Sequence, residues 1–154
     1  MHSRVTLEQP HAKAHTDGVT GVAIKSRPAT LAETAERIRA GETSSVAIGE
    51  FLDAYYAADL AKRQAMYSDR PSSVDLPDPR KTQVIDAYLS AVAEGLAYRD
   101  RLAAPRWAYD RRYFLDDPWF ASDIQGLRML LLMESPVFFR RRNLFFSRNA
   151  LSPA

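Results

Sequence analysis

Between Lys81 and Arg101 the chain places Ile85, Tyr88, Leu89, Val92 and Leu96 at i, i+3, i+4, i+7 and i+11. At about 100° per residue these side chains share an arc of about 100°, with Asp86, Ser90 and Glu94 outside it. Such spacing predicts an amphipathic core helix from about Lys81 to Arg101, ended by Ala104-Pro105. Everything else must pack around that stripe.

Other segments carry helical punctuation of their own. Thr30 and Glu33 make a T-x-x-E capping box, and Gly41 is a natural stop, with Leu31, Ala35 and Ile38 on one face between them. A second helix follows in VAIGEFLDAYYAA, packing through Ile48, Phe51, Leu52, Tyr55 and Tyr56. Asp59 can cap a short third helix reaching Met66 and Tyr67. Ser68 to Arg80, rich in Pro and Asp, reads as a connector. Trp107 to Phe120 holds six aromatics in fourteen positions without a period, which predicts an irregular packed segment turning at Asp117-Pro118. Ser122 and Gln125 suggest another capping box. The helix after it is apolar almost all round through Met129–Met133, the signature of a central buried helix. Ser135-Pro136 then starts a short helix that Asn143 ends. The fold expected is all-α, a compact bundle of about six helices over residues 30–154. Residues 1–29 read as a mobile tail whose VTGVAI run, Val19 to Ile24, could pair as an added strand.

Composition removes several classes of function. There is no cysteine, so no disulfide, thiolate metal site or thiol nucleophile. The longest strictly apolar run is five residues, against the ~20 needed to span a bilayer. No apolar secretory stretch opens the chain, so a cytoplasmic protein is expected. All three histidines, His2, His11 and His15, fall in the expected tail, where a general base or metal site would lack a rigid support. Asp116-Asp117 is explained by the turn before Pro118. With no P-loop, dinucleotide fingerprint or H-E-x-x-H, the sequence points away from an enzyme and implies no cofactor.

Charge is polarised. The formal net charge is +2, but residues 31–96 carry seven basic and eleven acidic side chains, while residues 97–154 carry ten arginines against six acids. The basic end culminates in SPVFFRRRNLFFSRNAL, where two Phe pairs flank Arg140, Arg141 and Arg142. Arginine beside aromatic rings is typical of interface anchors, and a guanidinium fork suits carboxylates and phosphates. The reading is a protein-binding ledge with Arg140, Arg141, Arg142 and Arg148 as charge partners and Phe138, Phe145 and Phe146 as apolar anchors. Two alternatives stand beside it. One is a nucleic-acid-binding or autoregulatory protein, with arginines on phosphates and Phe stacked on bases; the helix pair 30–40 and 46–57 has helix-turn-helix length, but its second member offers Glu50 and Asp53 and no Arg or Lys. The other is self-association through residues 107–120.

From LAETAERIRAGE and FLDAYYAA through RWAYDRRYFLDDPWFASD to ESPVFFRRRNLFFSRNAL, residues 31–154 resemble a group of small helical bacterial proteins. These share an ending of the form W-F-S/A-S…L-R…L-L…E-S-P-x-x-F-R-R-R-N-x-F…S-x-N-A-L. Their genes sit beside genes for nucleotidyltransferase-fold proteins, in a toxin–antitoxin-like arrangement. What the resemblance implies is an antitoxin-like role. The Arg-rich C-terminal segment would then cover the acidic metal and nucleotide site of such a partner.

Overall fold

The computed structural model describes residues 26–153. The expected added strand at Val19–Ile24 and all three histidines lie outside them.

Helix α1, Leu31–Arg39, begins where the sequence marks it. The Thr30 hydroxyl accepts the Glu33 N–H at 3.0 Å, and the Glu33 carboxylate accepts the Ala29 N–H at 2.7 Å. It ends in a Schellman motif. Gly41, at φ +107°, donates to Ile38, and Glu42 donates to Arg37. The preceding residues lie against this helix: Pro28 is buried and Arg37 donates to the Ser26 carbonyl. Helix α2, Ser44–Ala57, buries Ala47, Ile48, Phe51, Leu52 and Tyr55. A single α-turn, α3, Leu60–Arg63, leads into a 3₁₀ turn, Gln64–Tyr67, which buries Met66 and Tyr67.

Helix α4, Pro79–Arg99, is the axis of the molecule. Asp78 caps it by accepting the Arg80 and Lys81 amides, and Pro79 occupies the first turn, where its missing N–H costs nothing. Every residue from Leu89 to Ala97 is buried, so the chain encloses the second half of α4 on all sides. Three of those residues are alanine and one is glycine, which lets neighbours approach closely. At Gly95 a Cβ would stand 2.5 Å from Leu151 Cδ1 and 3.0 Å from Phe138 Cδ2. The aromatic segment wraps α4 in two 3₁₀ turns, Arg106–Tyr109 and Arg111–Tyr113.

Strand β1, Trp119–Phe120, pairs in parallel with β2, Leu144–Phe145, with Trp119 opposite Leu144 and Phe120 opposite Phe145. Between the two strands lie α5, Gln125–Glu134, and α6, Val137–Arg140. The result is a mostly helical bundle with six α-helices and one two-residue parallel ladder among the described residues. No helix among them is long and apolar enough to cross a membrane.

One expectation reverses. The helix through Met129–Met133 is not central, and Leu131 is its only buried residue. The buried axis is α4, whose polar strip was expected to face solvent. Capping details shift as well. Ile124, not Ser122, occupies the N-cap of α5, and the Ser122 hydroxyl accepts the Ile124 amide at 3.2 Å. Ser135 does not cap α6. Its buried hydroxyl donates to Leu144 O at 3.0 Å and accepts the Phe146 amide at 3.3 Å, tying the end of α5 to β2.

Candidate partner-binding surface

The three consecutive arginines part company because of their places on α6 and the turn after it. Arg142 turns inward and is completely buried. Its Nε donates to Ser90 Oγ at 2.8 Å. Its Nη1 donates to Glu94 Oε2 at 2.6 Å and to the Phe138 carbonyl at 2.7 Å, and Nη2 donates to the Ala108 carbonyl at 2.8 Å. The Phe114 ring lies 4.8 Å from the guanidinium carbon. Burial pulls the Arg142 pKa below its ordinary value, while the hydrogen bond and charge of Glu94 oppose that shift. The site therefore suits a charged guanidinium held by one carboxylate and three further acceptors. Arg142 is a core residue and not, as the sequence suggested, a charge partner for another molecule.

Arg141 is 43% exposed and shares the same carboxylate, its Nη1 lying 2.7 Å from Glu94 Oε1. Arg148 is 71% exposed and meets Glu134 at 3.0 Å. Arg140 is exposed, and no carboxylate pairs with it among the described residues. Of the four expected charge partners, Arg140 meets no carboxylate among the described residues, and Arg141 and Arg142 share one, which leaves that pair with one net positive charge.

The expected apolar anchors divide in the same way. Phe145 is buried on β2 and stacks on Phe120 with centroids 4.9 Å apart, so it belongs to the ladder and offers nothing to a partner. Phe138 is half-buried against Gly95 and Tyr98. Phe146 is half-buried among Tyr88, Trp119 and Phe139. These rings bind the C-terminal segment to α4.

The exposed apolar surface lies elsewhere. Met133 is 75% exposed, Met129 67% and Ile124 64%, with Leu127, Leu130, Leu132 and Val137 also open to solvent. Together they present several hundred Å² of apolar side chain, on the order of the ~300–600 Å² of the largest patch on a typical monomer or more. Viewed down the axis, Met129, Met133 and Leu130 flank the bare backbone of Gly126, around which no atom would meet a Cβ within 4 Å. Leu131 packs on the domain from the opposite side, and the Glu134–Arg148 bridge ties down the end of the helix. Arg128 points the other way, about 160° around the helix from Gly126, with its guanidinium 5.1 Å from the Phe120 centroid.

No known protein family, curated protein or solved structure matches this chain. Among the described residues no cluster of His, Cys, Asp or Glu could hold a metal ion. Two structural features were not evident from the sequence. The Ser90–Glu94 socket was legible only as an i, i+4 polar pair on a strip otherwise made of small residues. The exposure of α5 had a fainter signal, the two methionines and the glycine that a tightly packed central helix rarely combines.

Proposed function

We propose that this protein is a partner-binding module that acts by direct protein–protein association through α5, in the antitoxin-like manner that the C-terminal resemblance implies. The observation that carries the reading is the apolar face of α5, exposed on a helix that both neighbouring strands and Ser135 hold in place. An apolar helix seated in a groove is a recurrent recognition mode, and two methionines suit it because their side chains repack without strain. The exposed Arg140 favours a groove with an acidic rim. The partner class is a nucleotidyltransferase-fold protein, whose metal-binding carboxylates would supply that rim. Covering those carboxylates would exclude metal and nucleotide without any chemistry by this chain.

Arg140 and the α5 methionines replace the full arginine ledge in this account. The test is co-purification with the nucleotidyltransferase-fold protein encoded by the adjacent gene, with mass read by light scattering. A stoichiometric complex is expected. Met129→Glu with Met133→Glu should weaken it by about 30-fold or more, the ~2 kcal/mol loss of an interface hot spot. Arg140→Glu should weaken it less and steepen with falling salt. Both variants change exposed side chains, so the helical circular dichroism should be intact. Failure to form a complex, or variants that bind as well as the parent, would remove the proposal. A homodimer lost in the methionine variants would reassign the face to a second copy.

A further inference from the structure

A cleft of about 530 Å³ opens between α2 and α4, within the ~300–1,000 Å³ range of small-molecule sites. One wall is Ser45, Ile48, Gly49 and Leu52 from α2. The other is Lys81, Val84, Ile85 and Tyr88 from α4. Both series run i, i+3, i+4, i+7, so each is a single helix face turned to the same space. Tyr55, near the end of α2, donates to Asp100 at the end of α4 at 2.6 Å. The two helices thus finish together and both begin at the cleft. Trp119 and Phe146, with ring centroids 5.1 Å apart, complete its apolar lining.

The charged groups belong to the first turn of α4. Asp78 is engaged in capping that helix. Arg80 donates to the carbonyls of Asp117 and Pro118 at 2.9 and 3.4 Å, neutral acceptors that leave its charge standing. Lys81 is exposed and meets no carboxylate among the described residues. Two cations against one carboxylate leave the mouth positive by one charge, above walls that are mostly apolar. The Ser44 and Ser45 side chains add hydroxyls at the same cleft.

We propose that this cleft binds an amphipathic monocarboxylate, an acyl or aryl acid whose chain lies along Ile48, Leu52, Ile85 and Trp119 and whose head group meets Arg80 and Lys81. A single negative charge matches the net charge of the mouth, whereas a phosphate dianion would exceed it. The site shares no residue with α5, so it stands whether or not α5 binds a protein.

Calorimetric titration of the full chain with dodecanoate and dodecyltrimethylammonium below their micelle concentrations, and with dodecanol below its solubility limit, separates the possibilities. Dodecanoate should bind saturably at one site, with the other two at least tenfold weaker. Arg80→Gln with Lys81→Gln should cost tenfold or more for dodecanoate and leave dodecanol unchanged. Ser45→Trp, an exposed position at the wall, should block the cleft and abolish the heat. Met129→Glu with Met133→Glu should bind dodecanoate as the parent does. Equal affinity for the three probes, no saturable heat, or binding indifferent to Ser45→Trp would overturn the proposal.

Discussion

Replacing Glu94 by Gln isolates the energetics of the buried arginine. The change keeps the size of the side chain and one acceptor oxygen but removes the negative charge 2.6 Å from Arg142 Nη1. The guanidinium cannot reach water, because Arg142 is fully buried beneath Ala108, Phe138 and Phe114. Breaking a buried pair by removing one partner costs about 3–5 kcal/mol, since an uncompensated charge stays behind. Against a total stability of about 5–15 kcal/mol, that is a large fraction. At about 2–4 °C per kcal/mol for a chain of this size, the melting temperature should fall by about 6–20 °C. Urea denaturation followed at 222 nm would show a lower midpoint with an unchanged slope. Arg141→Gln provides the control. Arg141 reaches the same carboxylate from a 43% exposed position, where solvent screening limits the loss to about 1 kcal/mol or less. A Glu94→Gln protein within about 1 kcal/mol of the parent would refute the reasoning, because it would mean that Arg142 is solvated. For the same reason, reversing all three arginines together would unfold the domain and say nothing about binding.

Two further outcomes follow from single groups. The Tyr67 hydroxyl is buried with no hydrogen-bond partner among the described residues, so Tyr67→Phe should be neutral or stabilising by about 1 kcal/mol in the same urea assay; a loss of that size would instead reveal a bound water. The Asp110 carboxyl is held down to about 2 by the Arg112 amide, the Arg112 side chain and Arg70, which lies 2.5 Å away. Its folded pKa lies below its unfolded value, so its contribution is present above about pH 4 and lost as pH falls through about 2. Asp110→Asn should flatten the acid limb of the midpoint-against-pH curve in that window, and an unaltered limb would count against the assignment.

Much of the fold could be read locally because its signals are local. The α1 cap and stop depend on residues a few positions apart, and both form as the sequence suggests. What failed required knowing what lies across space. Periodicity assigned Ser90 and Glu94 to the outside of an amphipathic helix, but it could not show that Arg142, forty-eight residues beyond Glu94, would fold back onto them. Nor can hydrophobicity distinguish a helix surrounded by its own chain from one left open to another surface. Met129–Met133 has the composition of a core and the position of an edge. Arg140, Arg141 and Arg142 are alike as a sequence, yet a rotation of about 100° per residue sends one inward and leaves another at the surface.

The two-residue ladder has a modular consequence. Because β1 and β2 clasp each other in parallel, and Ser135 fastens the chain again just before α6, the loop from Ala121 to Glu134 leaves the body and returns to it through fixed points. Its helix adds one buried side chain, Leu131, to a core that is otherwise assembled without it. Such an excursion can vary while the frame persists. Grafting a different helix of equal length between those points would replace the exposed apolar face and spare the foundation beneath it.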